Sequence, residues 1–533
     1  MEYFEEELNE AVSPNGQCFD NSFLSLYILA FLEFQVAIHD LPILSLLEDA
    51  FLSIPHFTSI MVDDERGVKR WKPVEVKLEE HIIEPKFIDD GMSDDSYDKH
   101  FADYISMMLM ENLSPTKPLW QVHVIKYPTS TSNAAGTLVF KFHHAIGDGY
   151  SLMGVILSSL QRAEDTSLPL SFPSLKSSSK PKNISRFMKR MSHFLSMPFN
   201  FVSEFGWSLL KSTLFEDDET PIRSGVEADE FRRTKLSNVV FSMDHIKEIK
   251  SNLGVTINDA ITGIIFFGIR LYMQNIDYRS RALNSTALVI ANTRKVKDYQ
   301  RVQDMLKTAK GDWGNQITYY HVSVPKLQDI PISSPLQFVR KAHNSIKRKK
   351  SSYAPPLITK LLRVKNKLEG PEALAKYIHG TMRKSSLLIS NVAGPIEQMS
   401  WANHPIGGFF FTLAGIPQSL VITIMSYMGM LRVTIATEEG FIDEQKLMQY
   451  INNAFEIVRH ESIAKENISK WNKFFVKNPP SPLHLIEENS ILVESPSNPS
   501  QQDPAPLRTG QGVFCTILFF GCSQQFYQGG HVH

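Results

Sequence analysis

The sequence predicts an α/β protein in which a linker joins two compact units. Its 533 residues exceed what one hydrophobic core usually organises, and a hydrophobic content of 43% is enough to fill sizeable cores. Residues 1–165 mix strand and helix patterns, and residues 235–474 alternate apolar strands with helices. Residues 166–234 begin with a stretch dense in Ser, Pro and Lys, which predicts a flexible linker. Residues 475–533 are rich in Pro, Ser and Gln, which predicts a disordered tail.

The first unit contains a predicted hairpin followed by a helix. The segments Gln121–Tyr127 and Thr137–Phe142 are rich in β-branched and aromatic residues, and a polar segment separates them, which is typical of a β-hairpin. The segment Ser151–Arg162 carries apolar residues at helical spacing and predicts a helix with Ser151 as its N-cap. The apolar segment Phe23–Val36 is too short to span a bilayer and predicts a core element.

The linker region contains a second feature besides its Ser/Pro-rich start. Residues Arg186–Phe215 carry large apolar residues with interspersed cations around Pro198, which predicts two amphipathic helices broken near that proline. Helices of this kind can lie in the interface of a bilayer. They can equally pack on the protein core, and the sequence leaves both interpretations open.

The second unit ends with a predicted hairpin. The segments Val421–Tyr427 and Leu431–Ala436 are apolar and β-branched, and Met428–Met430 joins them as a tight connection. Just before them, the glycine pair and three phenylalanines of Gly407–Phe411 predict a β-bulge or the wall of a channel.

Charge and cysteine content limit the classes of partner and compartment. Lys plus Arg number 55 and Asp plus Glu number 57, for a net charge of −2, which argues against nucleic acid as a partner. The three cysteines, Cys18, Cys515 and Cys522, offer no disulfide scaffold and suit a reducing compartment. The acidic N-terminus lacks the pattern of a secretory signal, and no run of about 20 apolar residues predicts a spanning helix.

Residues 143–149, with the sequence HHAIGDG, form an HHxxxDG pattern at the junction of the predicted hairpin and helix. A histidine at such a junction can take the proton of an alcohol as the oxygen attacks, because its pKa lies near neutral pH. Paired histidines can also bind a metal or be ordinary polar residues at a strand end. No CxxC, HExxH or nearby acidic cluster supplies further metal ligands, which argues against a metal site. The heptad resembles the pattern of the CoA-dependent O-acyltransferase superfamily, and this resemblance implies acyl transfer to an alcohol.

Several further motifs accompany this heptad. Together they resemble the plant branch of the bifunctional wax ester synthase/diacylglycerol acyltransferase family, from about Ser13 to about Ile463. Plant alcohol acyltransferases share HHxxxDG but carry a late DFGWG element, whose nearest counterpart here is the different sequence GDWGN at 311–315. The motifs that carry the resemblance are SPNGQCFDNS (13–22), TSIMVDD (58–64), GVKRWKPVEV (67–76), PLW (118–120), ND (258–259) and NVAGP (391–395).

The resemblance implies a two-domain chloramphenicol-acetyltransferase-like, CoA-dependent acyltransferase fold, in which each half is a mixed sheet with flanking helices. It implies transfer of a fatty acyl group from acyl-CoA to a long-chain alcohol, to diacylglycerol, or to both, without a metal or other cofactor. It also implies contact with a membrane surface, on the cytosolic face of the endoplasmic reticulum or at the plasma membrane. The alternatives are an alcohol acyltransferase that makes other esters, a peptide-condensing domain, and a non-catalytic protein that binds lipid or CoA.

The resemblance also assigns roles within the heptad. His144 is expected to be the general base. Asp148 is expected to be architectural and to pair with an arginine, for which Arg294 is the candidate because it follows an apolar strand; a solvated arginine is the alternative. His143 and Gly149 are expected to support the turn that carries the base, since glycine permits a sharp change of direction.

Two residues outside the heptad are candidates for contact with substrate. Asn258 lies at the start of a predicted helix, where N-capping is the default role, and the sharper hypothesis is that it stabilises the oxyanion. Trp120 leads into a predicted strand, where it is either a core tryptophan or part of the wall of an acyl channel.

Overall fold

Two large β-sheets organise the protein in the computed structural model. Both sheets lie in one compact unit of the chain, which extends to Ser469. Much of the predicted amphipathic region, Cys515, Cys522 and almost all of the predicted disordered tail lie outside the described residues. The structure describes residues 10–65, 67–87, 94–130, 133–173, 206–226, 232–294, 305, 313–351 and 354–477.

The strands of the described residues are numbered β1 to β17 in chain order. They are β1 (Asp20–Asn21), β2 (Leu24–Ser25), β3 (Tyr27–Phe34), β4 (Ser59–Asp63), β5 (Lys69–Pro73), β6 (Ile82–Ile83), β7 (Trp120–Ile125), β8 (Gly136–His143), β9 (Gln161–Arg162), β10 (Thr234–Ser242), β11 (Thr286–Asn292), β12 (Ile317–Ser323), β13 (Leu387–Ala393), β14 (Met399–Trp401), β15 (His404–Ala414), β16 (Leu420–Tyr427) and β17 (Met430–Glu438).

The α-helices with complete bounds are numbered in the same way. They are α1 (Pro14–Phe19), α2 (Ile43–Phe51), α3 (Asp94–Met110), α4 (Gly149–Ser158), α5 (Met243–Leu253), α6 (Ile257–Ile276), α7 (Leu336–Ser351), α8 (Ala354–Arg383) and α9 (Glu444–Lys477). Residues 206–213 are also helical, and short 3₁₀ turns occur at Pro55–Phe57, Leu78–Glu80 and Tyr278–Arg281. Gly370, with a φ of 85°, divides α8 into two helical segments.

The first sheet has the strand order β6-β7-β8-β3-β15-β14-β9. Its central strand β3 is buried along its whole length, which confirms that the apolar segment around it is a core element. The predicted hairpin is formed by β7 and β8, which pair antiparallel from Trp120 opposite Phe142 to Ile125 opposite Thr137. This sheet therefore carries the heptad at the end of β8.

The second sheet has the order β10-β17-β16-β13-β11-β12. Strands β11, β13 and β16 run parallel to one another, and the outer strands pair antiparallel, so this sheet is mixed as expected. The predicted hairpin of β16 and β17 is confirmed. Its two-residue loop, Met428 and Gly429, has positive φ at both positions, which matches the twist of the strands.

The boundary predicted between the halves requires a correction, because the second unit does not form one sheet by itself. Strands β14 and β15, within residues 235–474, belong to the first sheet, where β15 pairs antiparallel with β3. The register of that pairing shifts between Ile406 and Gly408, so the predicted bulge is present. Strand β15 leads directly into β16 of the second sheet, and the chain thereby links the two sheets.

Three predicted element boundaries also change, each for a local reason. Helix α4 begins at Gly149, because the carboxylate of Asp148, not the side chain of Ser151, accepts the capping hydrogen bond, and it ends at Ser158. Helix α6 is capped by Thr256, with Asp259 completing a capping box, so Asn258 is not the cap. Strand β13 continues into the NVAGP motif as far as Ala393, because it pairs with β16 along that length.

Helix α6 lies at the centre of the core behind the second sheet. Two of its glycines allow close approach of neighbouring helices: a Cβ at Gly263 would lie 2.4 Å from the Cα of Val339, and one at Gly268 would lie 2.7 Å from the Cα of Ile451. Among the described residues, no single helix has the length and apolarity of a membrane span. Helices α5 and α6 meet those criteria only together and are bent by 97°.

Candidate active site

A cavity of about 390 Å³ lies between the two sheets, and the second histidine of the heptad is in its wall. Residues from β3 and β15 of the first sheet, from the heptad and from α4 line it, together with residues from β11, β12, β13 and α8. Its polar lining includes Asn15, His144, Thr293, Asn315, Ser390 and Asn391, and its apolar lining includes Phe19, Leu26, Ile28, Leu374, Ile378, Met382, Leu388, Phe411 and Leu413.

His144 immediately follows β8 and is 7% exposed. Its backbone N–H donates to the carbonyl of Leu26 at 2.8 Å, which ties the turn to the start of β3. The imidazole lies beside the ring of Phe19, with 4.9 Å between centroids. The ring is thus held between protein on one side and the cavity on the other.

The protonation of His144 is shaped by opposing influences. Burial lowers its pKa, while the negative charge of Asp148, a hydrogen bond to its own carbonyl and one to Asn315 act in the opposite direction. Burial dominates, so the pKa lies below that of a free histidine. The imidazole is therefore neutral at neutral pH, as a proton acceptor must be.

Asn315 is a site residue that the sequence motifs did not identify. Its side-chain Oδ1 lies 2.8 Å from Nδ1 of His144, and its Nδ2 donates to the carbonyl of His144 at 2.7 Å. In turn, Nδ2 of Asn15 donates to the carbonyl of Asn315 at 3.1 Å. In the sequence this residue lies in the GDWGN segment, which was considered only as a counterpart of DFGWG and differs from it.

Asp148 and Arg294 form a buried ion pair at 2.6 Å, with both side chains 1% exposed. The pairing expected from the resemblance is therefore present, and the alternative of a solvated arginine is wrong. The same carboxylate accepts the backbone N–H of Gln316 at 2.8 Å, and Arg294 donates to the carbonyl of Gly314 at 2.6 Å. The pair thus fixes the backbone on both sides of Asn315.

His143 faces away from the cavity wall and into the protein. Its Nε2 lies 3.3 Å from the hydroxyl of Ser25, and its Nδ1 accepts the backbone N–H of Ala145 at 3.1 Å. Burial lowers its pKa to about 4. These contacts agree with support of the turn.

Gly149 requires a correction to its expected contribution. It is the first residue of α4 and does not adopt a positive φ. A Cβ there would lie 3.8 Å from the nearest atom, a methyl group of Val392, which is an ordinary contact. The turn therefore does not need glycine at this position for conformational freedom.

Neither outer candidate lines the cavity, as far as the described residues define it. The side chain of Asn258 accepts a hydrogen bond at 3.1 Å from Asn391, which does line it, so Asn258 reaches the site only through that residue. Trp120 is fully buried, donates from its indole nitrogen to the carbonyl of Phe57 at 2.9 Å and stacks on His81. It is a core residue because its one polar atom is satisfied inside the protein.

Two family models match the chain. The model described as the wax ester synthase/diacylglycerol acyltransferase catalytic domain matches residues 91–261, and the model described as the WS/DGAT C-terminal domain matches residues 313–459. The first match contains the heptad. The second begins at Trp313 and contains Asn315.

Relatives that are similar over most of the chain carry the same family name. Wax ester synthase/diacylglycerol acyltransferase 3 of Arabidopsis thaliana is 26% identical over 450 residues, covering 82% of this chain and 91% of that protein. Wax ester synthase/diacylglycerol acyltransferase 4 of the same plant is 26% identical over 496 residues, covering 88% and 93%.

Among solved structures, the wax ester synthase/diacylglycerol acyltransferase from Marinobacter aquaeolei VT8 aligns with a TM-score of 0.51 at 14% identity, over 85% of this chain and 99% of that chain. At this identity the alignment shows the fold alone. It confirms the predicted two-sheet α/β class. The chain is an acyltransferase and belongs to the wax ester synthase/diacylglycerol acyltransferase family.

Proposed function

We propose that this enzyme transfers a fatty acyl group from acyl-CoA to a long-chain alcohol, to diacylglycerol, or to both, with His144 as the general base. The observation that carries the proposal is the position of the buried, neutral imidazole in the wall of a cavity with extensive apolar lining. The relatives named above carry both acceptor activities in their names.

The proposed reaction is a direct transfer. His144 accepts the hydroxyl proton of the acceptor at Nε2 as the alcohol oxygen attacks the thioester carbon. The tetrahedral intermediate collapses with cleavage of the carbon–sulfur bond, and the departing thiolate takes the proton back from the imidazolium. The products are the ester and free CoA, and no metal or other cofactor takes part.

The apolar part of the cavity supports a fatty acyl chain as the group transferred. Leu374, Ile378 and Met382 of α8, Leu388 of β13 and Phe411 of β15 all line this region. An alkyl chain that leaves water for such a surface gains about 0.8 kcal/mol for each CH₂ group buried. The cavity therefore favours long alkyl substrates over small soluble alcohols.

The helical residues 206–213 support attachment to a membrane, because polar side chains of this helix are buried and large apolar side chains are exposed. Ser208 and Lys211 are buried, the first beside His321 and the second paired with Asp217 at 2.6 Å. Lys211 is therefore not a surface cation. The large apolar side chains that remain exposed in and after this helix are Trp207, Leu209, Leu210, Leu214 and Phe215.

A helix that packs through its polar side and exposes its apolar side needs a nonpolar partner. A lipid bilayer supplies one for an enzyme whose substrates partition into membranes, and we expect peripheral binding at the cytosolic face of the endoplasmic reticulum or at the plasma membrane. Serine replacement at Leu214 and Phe215 is expected to reduce co-flotation with phosphatidylcholine vesicles. Unchanged flotation of that variant would contradict this part of the proposal.

The acyl-transfer proposal is tested with purified protein and radiolabelled acyl-CoA against hexadecanol, diacylglycerol and a hydroxycinnamoyl acceptor. His144→Ala is expected to abolish ester formation with every acceptor while the thermal unfolding temperature stays close to that of the wild type. His460→Ala, which changes an exposed histidine on α9, is the matched control and is expected to keep full activity.

Two outcomes would overturn the proposal. Full activity of His144→Ala would remove the general base. Turnover of the wild type with the hydroxycinnamoyl acceptor alone would assign the chain to enzymes that make other esters. The ratio of the hexadecanol and diacylglycerol products measures the preference between wax ester and triacylglycerol synthesis.

A further inference from the structure

We propose that Asn315 is the positioning residue that holds His144 in the tautomer protonated at Nδ1, which leaves Nε2 free to accept the proton of the acceptor. The inference rests on the proposed role of His144 as the base. It assigns to a residue outside every recognised motif the task of making that base competent.

The orientation of the Asn315 amide follows from its two partners. The carbonyl oxygen of His144, 2.7 Å away, can only accept a hydrogen bond, so the amide NH₂ must face it. The amide oxygen then faces Nδ1 of His144 at 2.8 Å. Because that oxygen can only accept, Nδ1 must carry the proton, and the lone pair of the neutral ring is on Nε2.

The adjacent histidine shows the opposite arrangement and makes the assignment specific. Nδ1 of His143 accepts the N–H of Ala145 at 3.1 Å, so the proton of that neutral ring is on Nε2, next to the hydroxyl of Ser25. Two consecutive imidazoles thus hold opposite tautomers. Only the tautomer of His144 depends on a side chain from the segment that precedes β12 in the second sheet.

Asn315 is itself fixed by the buried ion pair. Arg294 holds the carbonyl of Gly314, and Asp148 holds the N–H of Gln316, so the residues on both sides of Asn315 are anchored to the heptad turn. Asp148 therefore acts on the base in two ways. Its negative charge raises the pKa of the imidazole, and its hydrogen bonds hold Asn315 in the position from which the amide sets the tautomer.

The charged groups around His144 allow the sign of each perturbation to be worked out. Asp148 favours the imidazolium but is paired with Arg294, and His143, which is near Asp20 and Lys69, is neutral at neutral pH. A carboxylate at position 315 would stabilise the imidazolium and raise the pKa of His144. Removal of the amide would take away a hydrogen bond to the protonated Nδ1 and lower that pKa.

The test is the pH profile of kcat/KM, measured on the full-length enzyme with a long-chain acyl-CoA and hexadecanol. Asn315→Asp is expected to move the acidic limb of the profile to higher pH. Asn315→Ala is expected to move it to lower pH and to reduce kcat about tenfold at neutral pH with little change in KM, because only the hydrogen bond to the carbonyl of His144 then holds the ring and the unproductive tautomer gains population.

A merely structural role for Asn315 predicts a different pattern. Both variants would then lose activity in proportion to their unfolded fraction, as measured by thermal unfolding, and the acidic limb would stay in place. An unmoved limb in both variants overturns the inference. If His144→Ala is inactive and the limb is unmoved, only this inference fails; if His144→Ala is fully active, the proposed function itself fails.

Discussion

At the scale of single residues, the site depends on buried polar groups whose partners are all supplied by the protein. The carboxylate of Asp148 caps α4 through Ser151 and accepts the backbone of Gln316, while it also pairs with Arg294. A buried charge with several hydrogen bonds orients its surroundings, and loss of one partner leaves the other charge uncompensated. The ion pair therefore orients the backbone around the site in addition to stabilising the fold.

The first prediction concerns this ion pair. Arg294→Met is expected to lower the free energy of unfolding by about 3–5 kcal/mol, because it leaves the Asp148 carboxylate buried without its cation. The double variant Asp148→Asn with Arg294→Met is expected to be less destabilised than the sum of the two single changes. Urea unfolding of the four proteins measures this coupling.

An exposed ion pair provides the control for that experiment. Lys247 and Asp244 pair at 2.8 Å with side chains 56% and 84% exposed, and Lys247→Met is expected to change the free energy of unfolding by less than about 1 kcal/mol. Equal effects of the Arg294 and Lys247 changes would mean that burial of the Asp148 pair has no energetic consequence.

At the scale of elements, α6 illustrates how a single helix depends on small residues for close packing. Val339 of α7 contacts it at Gly263, and Ile451 of α9 contacts it at Gly268. Glycine in a helix interior lowers intrinsic helix stability relative to alanine, so its presence needs a packing reason. The close approach of the two neighbouring backbones supplies that reason.

The second prediction follows from this packing. Gly263→Ala is expected to destabilise the protein by about 1–3 kcal/mol, because the added methyl would overlap the backbone of Val339 and force α6 and α7 apart. Gly380→Ala in α8 is the matched control, since a Cβ there meets no atom within 4 Å. That change is expected to be neutral or stabilising by about 0.5–1 kcal/mol. Thermal unfolding of both variants checks the contrast, and a stable Gly263→Ala variant would contradict it.

At the scale of the whole molecule, the cavity exists because the chain crosses between its two sheets. Strand β15 completes the first sheet next to β3 and then leads into β16 of the second, while Arg432 of β17 pairs with Glu33 of β3 at 2.8 Å. The walls of the cavity are thereby held together by both covalent continuity and a partly buried ion pair. The same assembly buries several histidines away from water.

The third prediction concerns acid stability. Mainly by burial, the pKa values of His56 and His143 are lowered to about 4 and those of His123 and His321 to about 3, all below the value of about 6.5 in an unfolded chain. Between pH 6.5 and 4 the unfolded state therefore binds more protons, so stability falls as pH falls through this range. Each such histidine contributes up to about 1.4 kcal/mol per pH unit.

Urea unfolding at pH 7.5, 6.0 and 5.0 measures that loss, in a range where most carboxylates remain ionised. His321→Gln is expected to reduce the pH dependence by the contribution of one group. A free energy of unfolding that is constant or rises between pH 7.5 and 5.0 would contradict the prediction.

The sequence by itself determined the elements that have a local signature. Segments rich in β-branched, aromatic and other apolar residues predicted the β7–β8 hairpin and the β16–β17 hairpin, and a short apolar run predicted that the segment around β3 is a core element. The heptad together with its companion motifs predicted the family and the acyltransferase class. Local patterns suffice there because strand formation and turn geometry depend on residues that are close in the chain. Asp148 and Arg294 could be paired in advance only because the resemblance supplied the partner.

Only the tertiary structure decided which distant residues share the site. It placed Asn315 against His144, 171 positions away, moved β15 into the first sheet, and removed Trp120 and Asn258 from the cavity wall. None of these features has a periodic signal in the sequence, because each depends on how the two halves of the chain pack against each other. The chemistry of the heptad is thus encoded locally, whereas the protonation state proposed for its base depends on a contact that exists only once both sheets have assembled.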